Sequence, residues 1–219
     1  GATVLYSPHY VTGSEWATTL SVLNLDARPG RVQFRFIGEN GAQIGSARSL
    51  EIAANGKLHI SDPAFFGQNP DGTYTGHVRI SSDGVRLAGS AVFGHSNGTS
   101  FSSALPLIAN PQKSVLYGHA VSNDLYRSGI AIVNPNTAAA TAVVSLYAAD
   151  GTLIAKKSEF IQAGRRTAKL LTEFFPSQAG KDQTSGYVKV TSDKPLASYS
   201  LFGTSNLSVL SAIPAKALQ

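Results

Sequence analysis

The sequence predicts an all-β fold: two tandem antiparallel β-sandwich domains of similar fold, each with one short helical turn. Three observations predict it: an internal duplication, a period-two alternation of apolar and polar residues, and turn residues at strand-length spacing. Val4-Leu5-Tyr6 returns as Val115-Leu116-Tyr117, and Val22-Leu23-Asn24 as Ile132-Val133-Asn134. Glu39-Asn40-Gly41 returns as Ala149-Asp150-Gly151, Phe65-Phe66 as Phe174-Phe175, and the segment from Gly76 to Asp83 as Gly186 to Asp193. The offsets are 111, 110, 110, 109 and 110, a drift that falls between the predicted strands. A period of about 110 residues is a whole domain rather than the roughly 20–50-residue unit of a solenoid or propeller. The expected domains are 1–108 and 109–219.

Each element follows from its own pattern. The first copy predicts strands near 3–6, 17–25, 31–37, 47–53, 57–61, 75–81, 87–94 and 99–105. The second predicts them near 114–117, 127–134, 141–147, 154–161, 166–171, 186–191, 196–203 and 207–213. Val32, Phe34 and Phe36 alternate with Arg31, Gln33 and Arg35, as Ala142, Val144 and Leu146 do in the second copy. Val78 and Ile80 alternate with His77 and Arg79, and Val188 and Val190 with Tyr187 and Lys189. One-face burial of this kind belongs to antiparallel sheets packed as a sandwich.

Turn chemistry separates the strands. Asn40-Gly41 and Asp150-Gly151 are expected as two-residue hairpin turns with both central residues at positive φ. Asn55-Gly56, Ala163-Gly164, Asp71-Gly72, Asp83-Gly84, Asp193-Lys194-Pro195 and Asn97-Gly98 supply the others. Asp62 before Pro63 reads as the N-cap of a helical turn, and Thr172 is expected to cap the matching turn before Phe174-Phe175. The Phe pairs are expected to plug one end of each sandwich. Pro106-Leu107-Ile108-Ala109-Asn110-Pro111 reads as a short stiff connector, which predicts an elongated rod.

Composition points outside the cytoplasm. Apolar residues make up 42% and charged residues 14% of the chain, too apolar for disorder and poor in charge for a cytosolic protein. Cysteine is absent, which excludes disulfides, thiolate metal sites and cysteine nucleophiles. Methionine is absent too, so the chain reads as a processed piece of an exported precursor. No apolar run approaches the ~18 residues of a membrane span. Residues 1–110 hold seven Lys and Arg against seven Asp and Glu, and residues 111–219 hold eleven against six. The net +5 therefore comes from the second copy, with Lys156, Lys157, Arg165, Arg166 and Lys169 as its densest group.

A strand ending in Ile132-Val133-Asn134-Pro135, an Asp150-Gly151 hairpin, and Ser192-Asp193-Lys194-Pro195-Leu196 followed by Leu201-Phe202-Gly203 form a recognisable set. With them the chain resembles the tandem β-sandwich (immunoglobulin- or fibronectin-like) repeats of secreted or surface bacterial proteins. The first copy departs from that pattern at Asn24-Leu25 and Asp83-Gly84-Val85. The resemblance implies an extracytoplasmic location and no catalytic residues, and fold-level likeness alone assigns no function.

The residues themselves offer little chemistry. His9 and His119 are equivalent, but no zinc spacing accompanies them, and they read as loop imidazoles bonded to backbone. Asp71, Asp83 and Asp150 precede glycines without the spacing of a calcium loop. No nucleophile elbow or phosphate-binding loop occurs. No cofactor and no metal is expected. Asn97-Gly98-Thr99 and Asn206-Leu207-Ser208 are aligned sequons that also read as hairpin turns. Two candidate ligand sites remain. Trp16 and Tyr126, at equivalent positions, either cap the core or present rings to a sugar. Arg165 and Arg166 are expected at the tip of a basic hairpin from Ile154 to Leu171, which either docks a polyanion or guards a sheet edge against aggregation.

The expected function is a non-catalytic extracellular spacer or adhesion module pair. A carbohydrate-binding module pair, for cell wall or polysaccharide, is the alternative, and an enzyme is not expected. The partner is expected to be a protein or polysaccharide, with nucleic acid disfavoured.

Overall fold

Alternating side chains become strands in which every second residue faces a shared interior. The computed structural model describes residues 1–13, 15–66, 73–98 and 100–218. The fold is all-β and sandwich-like. The chain divides into two compact units, Gly1–Asn110 and Pro111–Gln219. Among the described residues no helix is long and apolar enough to cross a membrane.

In the first unit, β1 (Val4–Thr12), β3 (Gly30–Gly38), β4 (Arg48–Ile52) and β6 (Tyr74–Ser82) form one antiparallel sheet in the order β1-β6-β3-β4. The second sheet contains β2 (Trp16–Asn24), β5 (Lys57–Ile60), β7 (Leu87–His95) and β8 (Ser102–Pro106), in the order β5-β2-β7-β8. Leu5, Val32, Phe34, Phe36, Val78 and Ile80 of the first sheet share one core with Leu20, Val22, Leu87 and Ala91 of the other. Each fully buried side chain of this size contributes about 1.5–3 kcal/mol.

The second unit contains β9 (Gln112–Ser122), β10 (Tyr126–Val133), β11 (Ala140–Tyr147), β12 (Leu153–Ile161), β13 (Arg166–Leu170), β14 (Gln183–Thr204), β15 (Leu210–Ile213) and β16 (Lys216–Ala217). Its pairings run β12-β11-β14-β9-β16 on one side and β13-β10-β14-β15 on the other, the order of the first unit with β14 in place of both β6 and β7. The two strands expected at 186–191 and 196–203 are thus one. Asp193-Lys194-Pro195 does not turn the chain back: here the Asp193 carboxylate accepts the Thr141 N–H at 2.8 Å and the Ser192 hydroxyl donates to the Lys194 carbonyl. A corner held this way lets a strand switch sheets while staying extended. Asp83 accepts the Arg31 N–H at 3.0 Å in the same manner.

The ladders correct the first motif of the repeat. Leu5 pairs with Ile80 and Val115 with Val190, so the true equivalents are 110 apart throughout this strand. The shared letters Val-Leu-Tyr are one residue out of step, and one residue reverses the faces. Leu5 is buried and Tyr6 is not, whereas Val115 and Tyr117 are buried and Leu116 is not. The strand is also longer than the expected 3–6, because it continues past an irregularity between Ser7 and Tyr10. Within it the aromatic ring changes place: Ser7 and Tyr10 of one unit correspond to Tyr117 and Ala120 of the other, and both rings are fully buried.

Gly76 and Gly186 stand beside that strand for a steric reason. A Cβ at either would collide with a carbonyl oxygen of the neighbouring strand, that of Ile37 or Tyr147. The hairpin loops differ from expectation. Gly41 and Gly151 take positive φ (80° and 87°), but among the described non-glycine residues only Asn55 and Leu207 do. Gly41 donates to the Gly38 carbonyl and Gly151 to the Ala148 carbonyl, at 3.0 and 3.1 Å. These are three-residue loops, a type I turn closed by a glycine bulge, rather than two-residue turns.

Pro63–Phe66 forms a 3-10 turn capped by Asp62, whose carboxylate accepts the Ala64 N–H at 2.9 Å. Leu171–Phe174 forms a one-turn helix that Thr172 does not cap: its N-cap is Leu170, whose N–H donates to the Glu173 carboxylate at 2.6 Å. Phe66, Phe174 and Phe175 are buried in their respective cores. The stretch expected as a connector belongs mostly to the first unit. Leu107 and Ala109 pack on its core, and Ile108 exchanges both backbone hydrogen bonds with Tyr6. The turn expected at Asp71-Gly72 lies outside the described residues.

One polar tie recurs. Asn24 and Asn134, both buried, end β2 and β10. The Asn24 amide donates to the carbonyls of Arg28 and Ala53 at 2.7 and 3.0 Å, and its oxygen accepts the Asp26 N–H at 3.0 Å. The Asn134 amide donates to Ala138 and Ile161, both at 2.9 Å, and its oxygen accepts the Asn136 N–H at 3.0 Å. The recurring asparagine is therefore a structural knot that fixes neighbouring segments to a strand end.

The open side between the sheets is sealed differently in each unit. Leu50 pairs with Val32 and Ile60 with Leu20, while their equivalents Glu159 and Lys169 pair with Ala142 and Ile130. The apolar couple of the first unit becomes an ion pair at 2.9 Å in the second, with Lys169 also over the Phe174 ring at 5.5 Å.

Three outcomes are expected from these contacts. Asn134→Asp keeps the acceptor and removes the donors, so it should destabilise the second unit by about 1–3 kcal/mol in urea unfolding. Glu159→Leu alone should cost about 1 kcal/mol, whereas Glu159→Leu with Lys169→Ile should restore or exceed the parent thermal midpoint. The Thr141 N–H and then the Lys194 ammonium hold the Asp193 carboxyl below its ordinary 3.8. Its contribution is therefore complete above the unfolded value and lost as pH falls through the lower folded one. Asp193→Asn should accordingly flatten the loss of thermal midpoint below about pH 4.

Candidate functional site

The open end of the second unit collects the residues with the least structural employment. β9 and β10 are joined by a tight turn in which the Asn123 side chain accepts the N–H groups of Leu125 and Tyr126 at 3.0 and 2.8 Å. That turn lifts Leu125 out of the sheet, leaving it 69% exposed. The β14–β15 loop lies against it: the Ser205 N–H donates to the Leu125 carbonyl at 2.8 Å and the Ser205 hydroxyl to the Asp124 carbonyl at 2.9 Å. A third wall comes from the chain after the one-turn helix, where Ala179–Asp182 turn at Gly180 with φ 74°.

Two depressions meet at Asn123. The apolar one, ≈ 310 Å³, lies between His119 and Val121 of β9 and Tyr126 and Phe202 of the opposite sheet. The polar one, ≈ 560 Å³, is lined among others by Asp124, Arg127, Lys181 and Asp182. Two acids and two bases leave it without a net charge.

Comparison with the first unit shows what has changed. Trp16 lies opposite His95, which bonds next to Phe101; Tyr126 lies opposite Thr204, which bonds next to Val209. Trp16 is half-buried and meets Phe101 edge-on at 5.1 Å, and His95 meets the same ring at 5.8 Å. Tyr126 has no ring at either equivalent place and is 37% exposed. The two aromatic candidates thus separate: Trp16 is packed in a ring cluster, and Tyr126 borders an open depression.

The β14–β15 loop holds a feature that the sequence reading passed over. Leu207 adopts φ 56°, the left-handed conformation, at the place where the first unit has Gly98 at φ 71°. In both, the N–H donates back across the turn, Gly98 to the His95 carbonyl and Leu207 to the Thr204 carbonyl. The signal was present as Asn206-Leu207 in place of Asn97-Gly98. The aligned sequons are both turns, although Thr99 lies outside the described residues.

Other candidates lie elsewhere. His9 and His119 are on strands rather than loops, with ring edges against Phe93 and Phe202 at 5.4 and 4.7 Å. The basic hairpin does not exist as such. β12 pairs with β11 and β13 with β10, so the two form an arch between sheets, turned at Gln162–Arg165. Arg165 is exposed there, but Arg166 is buried on β13, and Lys169 is engaged with Glu159. Lys156 and Lys157 remain exposed in the middle of edge strand β12.

The resolved displacements of titration fall on buried tyrosines and turn carboxyls. Burial raises the Tyr117 hydroxyl, which donates to Ser198 at 2.6 Å, and burial likewise raises Tyr199 well above its ordinary value. Backbone N–H groups lower two turn carboxyls, that of Arg86 acting on Asp26 and that of Thr152 on Asp150. Among the described residues no three His, Asp or Glu side chains are grouped to hold a metal.

No protein-family model matches the chain, and no curated protein matches it. Similar solved structures include the Anabaena sensory rhodopsin transducer, at 11% identity over 40% of this chain and 92% of that one, with a TM-score of 0.35. A Bacteroides uniformis beta-glucuronidase is similar at 15% identity over 96% of this chain and 26% of that one, with a TM-score of 0.20. At these scores neither likeness bears on what this chain does.

Proposed function

We propose that the chain is a non-catalytic, extracytoplasmic pair of duplicated immunoglobulin-like modules that serves as a spacer and adhesive element. The observation that carries this reading is where the buried polar side chains are spent. Asn24 and Asn134 fix loops, Thr18 and Ser128 accept the N–H groups of Val11 and Val121 at 3.0 Å each, and Tyr117 bonds Ser198. The asparagines and the Thr18 and Ser128 hydroxyls do the same work at equivalent positions of both units, as a duplicated scaffold would require.

The alternative, a carbohydrate-binding pair, is favoured by one observation: the uncovered Tyr126 ring beside an apolar depression. Lys156 and Lys157 fit the protective reading of the basic group, since like charges in mid-strand oppose pairing with another edge. Incubated with insoluble cell-envelope material, the purified protein should be retained in the pellet while releasing no reducing ends or other soluble products. Product release that co-purifies with the chain would overturn the non-catalytic reading, and absence from the pellet would overturn the adhesive one.

A further inference from the structure

We infer that the open end of the second unit is a binding site for a neutral saccharide chain, gripped between Tyr126 and the Leu125 and Leu207 loops. The inference rests on the adhesive reading and names what is gripped.

Leu207 provides the first argument. A leucine at φ 56° sits against its own backbone preference, which Gly98 satisfies without cost in the first unit. Burial does not offset that cost, because Leu207 is 39% exposed. Strained, exposed apolar residues mark contacts made outside the chain. Its neighbours agree: Val209 is 46% exposed, its N–H donates to the Thr204 hydroxyl, and Ser205 ties this loop to Leu125. Leu125, Tyr126, Leu207 and Val209 are therefore all exposed apolar residues on the two loops that these bonds join.

The depressions select the ligand. A pyranose presents C–H faces that stack on aromatic rings and hydroxyls that both donate and accept. Tyr126 and Phe202 offer the rings, and Asp124, Arg127, Lys181 and Asp182 offer paired donors and acceptors. Because those four charges cancel, the cleft itself presents no net charge to a ligand, and its polar groups suit a neutral one that both donates and accepts. A lipid surface would need the apolar rim without a polar cleft of ≈ 560 Å³ beside it. Among the described residues of the first unit, the equivalent ring, Trp16, is instead met edge-on by Phe101.

The test is amide chemical-shift mapping of the whole chain with cellohexaose and chitohexaose, against a polygalacturonate oligomer and phosphatidylcholine vesicles as contrasts. Shifts with a neutral hexasaccharide are expected around residues 119–127 and 202–209. Tyr126→Ala should weaken that binding about tenfold or more. Leu207→Gly should weaken it while raising the thermal midpoint. No response to either neutral probe, binding that survives Tyr126→Ala, preference for the acidic probe or vesicles, or a lowered midpoint in Leu207→Gly would each overturn the inference. Envelope retention that persists without saccharide binding would sink this site and leave the adhesive reading standing.

Discussion

A buried amide must find its hydrogen-bond partners inside the protein, and in each unit one asparagine imposes that demand on everything near it. Asn24 and Asn134 are nearly inaccessible, and each bonds carbonyls on two separate loops while turning its own loop through its oxygen. Leaving such a group unsatisfied costs about 1–3 kcal/mol, so the loops have little freedom to drift. That fixes where β2 hands over to β3 and where the β4–β5 arch returns, with β10, β11, β12 and β13 following the same plan. The arch then takes the conformation its length requires: Asn55 at φ 52° in one unit, Gly164 at φ 68° in the other. Sheet order follows from these anchors and from the apolar alternation that fills the space between.

Within that frame the two units have repacked by compensation. An aromatic ring absent at Ser7 is present at Tyr10; its counterpart has moved to Tyr117, beside Ala120. The interior is close-packed, so a ring lost at one position must return nearby or leave a cavity. At the side, Leu50 and Ile60 of one unit stand where Glu159 and Lys169 form an ion pair in the other. Changing one partner would strand a charge on an apolar edge, which is why the exchange is paired. Both cases place sequence divergence where a second change nearby makes the first tolerable.

Much of the fold was legible because alternation reports directly on faces: Val32, Phe34 and Phe36 point inward as their spacing requires. What misled was information that letters do not carry. Val4-Leu5-Tyr6 and Val115-Leu116-Tyr117 match as text but sit one residue apart in the ladder, and register is set by hydrogen bonds and burial. The basic segment alternates and turns like a hairpin, yet its strands join different partners, because pairing is decided across the whole sandwich rather than by adjacency. Asp193-Lys194-Pro195 has turn residues, but the strand runs through them from one sheet into the other, and such a switch is not written in local residue types. Of the candidate site, Tyr126 was visible as an aromatic at a repeated position. Arg127 and Lys181 were not, since nothing local joins a β9–β10 turn to a loop more than fifty residues later.

The difference between the units is sharper at Leu207 than anywhere else. The two loops share a left-handed backbone geometry, and glycine is the residue that geometry favours. Replacing it with leucine lowers stability without filling the core, since much of the side chain meets solvent. Beside it, the rings that cover Trp16 in the first unit have become Thr204 and Val209, which uncovers Tyr126. One change costs stability and the other removes protection from a ring, and both expose apolar surface at the same end of the same unit. Neither improves the isolated sandwich. Among the described residues, the first unit covers its ring at this end and the second leaves its ring open, at a place where stability gains nothing from the exposure.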